Sequence, residues 1–457
     1  MARTKKGRSK PRAHDGSSSG RPSEDTGVHS RSPRSSTELS TALSQSPTPT
    51  VTESDVEPPS APLAEQSVLE YPSVDPEPFY FEAGIPINCL AAVPTDPELF
   101  VVGGGGGPSR SGVANRIMLN RIDAQTKKVT TVASFNMEAM EDAPTSVSVH
   151  PHDKIIACGA NKTSDAVEAG NNKSTRILDY SSDSIRLTKE QSVMASNKVI
   201  DYQQVTAFDP KGKHLLTAGS EGTVNLLEFP SLEPAFSPMV MENGEVLAAD
   251  FSQAGGRVAV LTAQDVSIFG TRSGKGVQRI DCPVYKGKIK CQFRCCVYGR
   301  DMTKDCFYTV VNAKDRSRAL VAKWNTKTWK TEAFRAVCKE PIMAVAMHPR
   351  GICFAVATAK NCIYILDAHN LKTRVTVPDA HTFAITSLGF TSDGFHLVSG
   401  SVDNTCCIIP IPEQFPESDL KVPFIVLTVI VVVLASLLYY LQAHEAVLLS
   451  EDATASP

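Results

Sequence analysis

The sequence lacks the short motifs that carry most covalent enzyme chemistry. Its one Gly-x-Ser-x-Gly match, at 16–20, lies in a Ser-rich low-complexity segment and does not follow a strand-like segment, so it is not a nucleophile motif, and the sequence has no His-Glu-x-x-His metal motif. The glycine run at 103–107 is not followed by Gly-Lys-Ser/Thr, and Pro108 stands where a dinucleotide-binding loop needs glycine. These absences exclude a phosphate-binding loop of the usual kind. They favour a binding protein over an enzyme that forms or breaks covalent bonds.

Paired cysteine motifs and a secretory signal are also missing. None of the twelve cysteines forms a Cys-x-x-Cys motif, which argues against a zinc site. The first ten residues are basic, and no apolar segment follows them. We therefore expect reduced cysteines, used as small buried hydrophobic residues. Those in apolar runs are Cys158, Cys291, Cys295, Cys296, Cys353, Cys362, Cys406 and Cys407.

The first 76 residues contain no Phe, Ile, Trp or Cys and are rich in Ser, Pro and charge. Such a composition buries too little apolar surface to offset the entropy of ordering, so residues 1–76 are predicted to be a disordered tail. A basic cluster between Arg3 and Arg12 leaves nucleic acid or anionic lipid as alternative ligands. The net charge of the whole chain is −3, which gives no bias toward nucleic acid.

Residues 77–412 show no sustained helical period and instead repeat a strand, a turn and a second strand. Seven such units recur about every 50 residues, close to the length of a WD-repeat blade with insertions. The Gly-His…Trp-Asp signature is reduced to Leu178-Asp179, Lys323-Trp324 and Leu366-Asp367. The pattern predicts an all-β, seven-bladed WD-repeat-like propeller. The apolar residues before each turn are Val93, Val149, Phe208, Phe251, Val297, Met347 and Phe390.

The last unit ends at Pro410 and is one strand short. The apolar segment 78–83, upstream of the first unit, is predicted to supply the missing strand. Closing the ring in this way removes open sheet edges that promote aggregation. His150, His348 and His381 lie in or beside the repeat turns, where structural hydrogen bonds are the expected role.

A linker at 413–421 leads to residues 422–441, which are uncharged and dominated by Val, Leu and Ile. This is the length of a membrane-spanning helix, with Tyr439 and Tyr440 placed as interfacial aromatics. Because no signal precedes the propeller, we expect a single-pass protein whose propeller faces the cytosol. The short tail at 442–457 would lie on the other side.

The glycine run begins directly after the strand-like segment ending at Val102. One interpretation is a flexible hairpin, because glycine tolerates positive φ. The other is a loop stiffened by a monovalent cation, which backbone carbonyls can hold without charged side chains. On that interpretation the donors are the carbonyls of Gly103, Gly104, Gly105 and Gly106.

Several segments together resemble one family. They are the glycine loop, Gly112-Val-Ala-Asn115, Ala143-Pro144-Thr145, the segment 380–386 and the C-terminal apolar segment. With a degenerate propeller, they are similar to the endoplasmic-reticulum exchange factors for the Sar-type GTPase of the COPII coat. Animal members form the prolactin regulatory element-binding protein family. The resemblance covers about residues 80–441.

The resemblance implies a non-covalent guanine nucleotide exchange factor in the endoplasmic-reticulum membrane that starts COPII coat assembly for transport to the Golgi. It implies that the loop from Gly103 through Gly107 and Gly112 to Asn115 is ordered by potassium. The resemblance implies that Asn115 and Pro144 contact the GTPase, and Pro144 also matches a proline that shapes the neighbouring blade. The expected partners are the GTPase and the lipid bilayer, with no small-molecule substrate.

Two other functions remain open from the residues alone. A propeller scaffold of the endomembrane system would share the fold and the topology but not the loop. A nucleic-acid-binding regulator would use the basic N-terminus, and the apolar C-terminal segment disfavours it.

Overall fold

The computed structural model describes residues 77–108, 112–412 and 428–441, and its strands form seven antiparallel sheets. Each sheet is built from strands consecutive in the chain, except the one that pairs the first strand, β1 (Phe79–Glu82), with the last three. The seven-bladed all-β propeller predicted from the repeats is confirmed. The predicted tail 1–76, linker 413–421 and C-terminal tail 442–457 lie outside the described residues.

The strands follow in chain order, four to a blade, with one extra short strand in blade 3. Blades 1 and 2 contain β2 (Ile87–Ala92), β3 (Leu99–Gly104), β4 (Arg116–Asp123), β5 (Lys128–Asn136), β6 (Ser146–Val149), β7 (Ile155–Gly159), β8 (Thr175–Tyr180) and β9 (Ile185–Gln191). Blades 3 and 4 contain β10 (Gln203–Phe208), β11 (His214–Gly219), β12 (Thr223–Glu228), β13 (Glu233–Pro234), β14 (Met239–Val240), β15 (Ala248–Phe251), β16 (Arg257–Leu261), β17 (Asp265–Gly270) and β18 (Gly276–Asp281).

The remaining blades complete the ring. Blades 5 to 7 contain β19 (Cys291–Tyr298), β20 (Cys306–Ala313), β21 (Ala319–Asn325), β22 (Thr331–Cys338), β23 (Ile342–Met347), β24 (Cys353–Thr358), β25 (Ile363–Asp367), β26 (Thr373–Val377), β27 (Ile385–Phe390), β28 (His396–Ser401) and β29 (Thr405–Pro410). A short helix α1 (Ser164–Glu168) follows β7, and a 3-10 turn (Asp301–Thr303) follows β19. The first strand of each blade contacts the first strands of both neighbouring blades, so these seven strands surround the centre.

The ring closes between its two ends. Strand β1 pairs antiparallel with β29, from Phe79 opposite Ile408 to Glu82 opposite Thr405. The prediction that the segment 78–83 supplies the missing strand is therefore confirmed. Ile85, Phe100 and Cys406, which are at most 1% exposed, pack together where blades 7 and 1 meet. Burial of this apolar contact stabilises the closed ring by roughly 25 cal/mol per Å² of apolar surface.

All twelve cysteines are free thiols, as predicted. Burial explains their inertness, since it raises the pKa of Cys158 to about 12 and that of Cys295 to about 11. One detail differs from the prediction. Cys362 is only half-buried, because it lies in the turn before β25 and not in a strand.

The three histidines have the structural roles predicted for them. His150 Nδ1 accepts the backbone N–H of Asp153 at 2.9 Å, and its Nε2 lies 3.0 Å from the carbonyl of Gly212 in the next blade. The neutral ring with the proton on Nε2 satisfies both contacts. In blade 7, His381 Nδ1 lies 3.1 Å from Asp403, and its Nε2 lies 2.8 Å from Ser399 Oγ.

The carboxylate of Asp403 anchors this blade 7 network. Burial alone would raise its pKa, but the Thr405 hydroxyl and His381 outweigh burial and lower the pKa to about 2. The carboxylate therefore stays charged at any physiological pH.

Residues 428–441 are helical, and their side chains are exposed. In the portion of the chain that is described, no helix combines the length and the apolar character needed to span a bilayer. The start of the predicted span, 422–427, lies outside the described residues.

Candidate functional site

The first two glycines of the run belong to strand β3, so the loop is shorter than predicted. Gly103 pairs with Cys89 on β2 and Ile117 on β4, and Gly104 pairs with Ile87 and Arg116. A Cβ on Gly103 would lie 2.8 Å from Cys89 Sγ, and one on Gly104 would lie 1.9 Å from the carbonyl oxygen of Pro86. Glycine is thus required here by close packing inside the blade, not by flexibility.

The loop itself starts at Gly105, and residues 109–111 within it lie outside the described residues. Gly105 has φ +143° and donates its N–H to the carbonyl of Pro86 at 2.9 Å. Gly107 and Gly112 have φ values of +75° and +79°, in a region of backbone conformation that residues other than glycine rarely adopt. Gly105 is also buried, and a Cβ there would lie 2.3 Å from Asn115 Oδ1.

Asn115 lies at the end of the loop, and its side-chain amide forms hydrogen bonds with the loop backbone. Its Oδ1 accepts the N–H of Gly107 at 2.9 Å, and its Nδ2 donates to the carbonyl of Gly107 at 2.8 Å. The same Nδ2 also donates to the carbonyl of Glu141 at 2.7 Å, in the connection between β5 and β6. The side-chain amide therefore ties the two ends of the loop together and to the neighbouring connection.

A cluster of buried charged side chains stabilises the β5–β6 connection, which accepts the Asn115 amide. Glu141 and Arg176 are each 1% exposed, and Glu141 Oε2 lies 2.7 Å from Arg176 Nη1. Lys162 Nζ lies 2.8 Å from Glu141 Oε1 and 2.5 Å from Glu190 Oε1. Burial alone would raise the pKa of Glu141, but hydrogen bonds from Lys162 and Arg176 outweigh it and lower the pKa. The carboxylate is thus ionised, and the cluster fixes the base on which the loop rests.

Pro144 is buried and contacts the strand that carries the glycines. Its carbonyl accepts the side-chain amide of Asn88 at 3.2 Å, and its Cβ would lie 3.0 Å from a Cβ on Gly103. The position fits a residue that shapes the joint between blades 1 and 2. The contact of Pro144 with a partner stays a prediction, and the proline is buried within its own chain.

The same geometry limits which carbonyls can hold a cation. Gly103 and Gly104 lie in a strand paired on both sides, and the Gly103 carbonyl also accepts the Cys89 thiol at 3.6 Å. Of the predicted donors, Gly105 and Gly106 lie beyond the strand. Within residues 77–108, 112–412 and 428–441, no group of three or more His, Cys, Asp or Glu side chains is arranged to hold a metal.

The loop shares one face of the propeller with the connections between blades. In an antiparallel blade, successive connections alternate between the two faces, so the β3–β4 loop and every blade-to-blade connection lie on the same face. The apolar side chains exposed in those connections include Met140 at 49%, Ile200 at 79% and Phe383 at 63%. We call this side the loop face. Its apolar side chains near blades 7, 1 and 2 are suited to contact another protein.

Comparison with known proteins agrees with this architecture. A family model described as "WD domain, G-beta repeat" matches residues 372–409, which run from the outer strand of blade 6 through blade 7. A protein of Candida glabrata named guanine nucleotide-exchange factor SEC12 is 24% identical over 348 residues, covering 74% of this chain and 73% of the relative. An Arabidopsis thaliana protein named SEC12-like protein 2 is 23% identical over 309 residues, covering 67% and 74%.

The chain is related to SEC12 proteins over most of its length. The resemblance predicted from the sequence is therefore confirmed. The matches to these relatives cover 74% and 67% of this chain, whereas the family model detects only residues 372–409. Degenerate repeats explain the difference, because the Gly-His…Trp-Asp signature is lost from the earlier blades.

Sequence reasoning missed the support beneath the loop. Arg176 reads as one polar position in the strand Thr175–Tyr180, and Glu141 reads as part of an acidic connection. The one available signal was a charged residue directly before the apolar pair Ile177-Leu178 of the same strand. A charge in a buried position is tolerated only when it is paired. The pairing itself joins residues 35 positions apart and is not visible in any local pattern.

Proposed function

We propose that this protein is a guanine nucleotide exchange factor for a Sar-type small GTPase and promotes COPII coat assembly at the endoplasmic reticulum. One observation carries the proposal: a glycine loop on an exposed face is held rigid by Asn115 and a buried ion cluster. The relatives named as exchange factors support it, because they match over most of the propeller. No residue of the site is a covalent catalyst in this proposal.

The mechanism is displacement of the nucleotide by differential binding. A small GTPase holds its nucleotide through a phosphate-binding loop, Mg²⁺ and the switch segments. An exchange factor binds the nucleotide-free form more tightly than the GDP form, and it can shift the equilibrium between them only by that difference in affinity. A rigid loop performs this role better than a flexible one, since little entropy is lost when it engages the partner. The loop would hold the switch segments away from the nucleotide, and GTP would then enter.

The loop face supplies the rest of the contact in this proposal. Met140 lies next to Glu141, whose carbonyl binds Asn115, so it is exposed directly beside the loop. Phe395 is exposed to a similar degree, at 44%, but lies in the β27–β28 connection on the opposite face. The two residues form a matched pair for testing which face is used.

The test is release of a fluorescent GDP analogue from a Sar-type GTPase. The chain is expected to accelerate release by at least about tenfold, equivalent to lowering the activation free energy of release by about 1.4 kcal/mol. Met140→Asp places a charge in the apolar contact and is expected to remove most of the acceleration. Phe395→Asp should leave the rate unchanged. No acceleration by the unmodified chain would refute the exchange function, and equal effects of both variants would refute the choice of face.

We propose further that potassium stiffens the loop through carbonyls from Gly105 onward. Backbone carbonyl oxygens can coordinate a potassium ion in place of its hydration water, so no acidic side chain is needed. With K⁺ in place of Na⁺ at equal ionic strength, the amides of Gly105 and Gly107 should exchange with solvent more slowly. The melting temperature should rise by the linkage between ion binding and folding. Equal protection and equal melting in K⁺, Na⁺ and choline would argue against the ion.

Residues 422–441 are proposed to anchor the protein in the endoplasmic-reticulum membrane, with the propeller in the cytosol. The support is the run of 20 uncharged, mostly aliphatic residues. The full chain should remain in the membrane pellet after alkaline carbonate extraction, and protease added outside sealed microsomes should digest the propeller. A variant lacking residues 422–457 should move to the supernatant. Its continued sedimentation would contradict the anchor.

A further inference from the structure

A cavity of about 340 Å³ opens at the centre of the ring. Residues near the beginning of all seven innermost strands line it, so it lies at the end of the central channel on the loop face. The volume is at the lower end of the range typical of small-molecule sites. Its lining is mostly apolar residues, hydroxyls and amides, with Arg294 as the one charged side chain among the lining residues.

Arg294 has no counter-ion within the described part of the chain. Its guanidinium forms no ion pair or hydrogen bond there, and its Nε is buried without a partner. Unpaired polar groups in such a position are costly, because they have lost water without gaining a substitute. Arg176 also has an Nε and an Nη2 without a hydrogen bond, but its Nη1 lies 2.7 Å from the Glu141 carboxylate, so its charge is paired. The difference marks Arg294 as a cation whose partner is not supplied by the propeller.

Two polar side chains join Arg294 in the cavity. Gln204 comes from β10 and has no hydrogen bond within the described residues, and Ser387 comes from β27 and has only a long 3.5 Å contact to Thr386. Most other hydroxyls of the lining are used between blades; Thr386, for example, donates to the carbonyl of Ile87 at 2.7 Å. One guanidinium, one amide and one hydroxyl thus remain as donors around the cavity.

Two further side chains, Tyr202 and Glu245, lie on the loop face beside the cavity. Burial raises the pKa of Tyr202, Glu245 adds to that rise, and Arg294 opposes it. Tyr202 lies just before β10 on the loop face, and both Arg294 and Glu245 are near enough to influence it. Glu245 is exposed and forms no ion pair with Arg294. Glu245 therefore adds a negative charge near Tyr202 on the same face without neutralising Arg294.

We propose that this cavity binds the phosphate group of a small molecule, with Arg294 as its charged contact. Arginine binds phosphate oxygens through two parallel N–H donors, and such charge-assisted bonds are about twice as strong as neutral ones. Gln204 and Ser387 provide donors for a third oxygen, which a phosphate has and a carboxylate lacks. The site is separate from the glycine loop, and its existence does not depend on the exchange function.

The test is calorimetric titration of the full chain in detergent with inorganic phosphate and with glycerol 3-phosphate, at constant chloride. Arg294→Gln should weaken binding of both by at least about tenfold. Arg335→Gln is the matched control, because it removes the same charge from an exposed position on the outermost strand of the same blade. Glu245→Gln should tighten binding, since it removes a negative charge on the same face.

Other outcomes would overturn the proposal. These are undetectable phosphate binding, equal loss in Arg294→Gln and Arg335→Gln, or tighter binding of acetate than of phosphate. Arg294→Lys keeps the charge and should retain part of the affinity. It therefore separates a loss of binding from a loss of folding if Arg294→Gln melts at a lower temperature.

Discussion

Asn115→Ala is expected to lower the acceleration of GDP release by about tenfold or more while leaving the propeller folded. The substitution removes three hydrogen bonds, two to Gly107 and one to the carbonyl of Glu141. Each is worth roughly 0.5–1.5 kcal/mol, and their loss releases the backbone of the loop at Gly107 from its neighbours. The measurement is the rate of release of the fluorescent GDP analogue, with circular dichroism as the check on folding.

The design separates two roles for Asn115. If the residue braces the loop, the amide of Gly105, which donates to Pro86 and not to Asn115, should lose protection from hydrogen exchange in the free Asn115→Ala variant. If the residue instead contacts the GTPase, protection of Gly105 should persist while exchange activity falls. Asn115→Asp keeps an acceptor for the Gly107 N–H but loses both Nδ2 donations, so bracing predicts an intermediate rate.

A control and a contrary result complete this experiment. Asn370→Ala removes one turn hydrogen bond in the β25–β26 connection on the opposite face and should have no effect on exchange. Full exchange activity in Asn115→Ala would eliminate Asn115 from the site under either role.

The fold could be read from the sequence because its unit is local. Six of the seven apolar residues chosen before the turns, such as Phe251 and Phe390, lie in the first strand of their blade, and Val93 directly follows one. The dipeptide Leu366-Asp367 ends the third strand of its blade, where a WD repeat places Trp-Asp. Strand, turn and strand occupy adjacent positions in the chain, so alternation and turn residues suffice to find them.

The site could be read only in part, because its decisive contacts are distant in sequence. The run of glycines located the loop, but the boundary after Gly104 depends on the carbonyl of Pro86 in the preceding strand connection. Likewise, Asn115 was identified from a resemblance, whereas its bond to Glu141 spans 26 positions. Packing against another segment determined both features, and no local propensity encodes that packing.

Glu141→Gln is expected to be the most destabilising single charge change in this region. The carboxylate lies between Arg176 and Lys162, and the variant leaves Arg176 buried with only Glu190 Oε1 at 3.7 Å from its Nε. Removing one partner of a buried ion pair typically costs about 3–5 kcal/mol, because the other charge stays desolvated. Chemical unfolding at neutral pH measures the change in stability. Exchange activity should fall as well, because the ion cluster positions the backbone carbonyl of residue 141 that accepts the Asn115 amide.

The matched control is Glu98→Gln, which breaks a surface pair with Arg121. Both partners of that pair are substantially exposed, at 61% and 41%, so little change is expected. In the Glu141→Gln background, adding Arg176→Met removes the unpaired charge and should restore part of the lost stability. If Glu141→Gln unfolds at the same denaturant concentration as the unmodified chain, the ion cluster does not support the loop.

The pH dependence provides an independent check of the same cluster. The pKa of Glu141 is lowered in the folded protein, so its ionisation stabilises the fold above its ordinary value of 4.5. That stabilisation is lost as the pH falls below 4.5 and the carboxylate takes up a proton. The difference in unfolding free energy between the unmodified chain and Glu141→Gln should therefore be largest at neutral pH and shrink in acid. A constant difference would mean that Glu141 acts through its shape and hydrogen bonds, with no contribution from its charge.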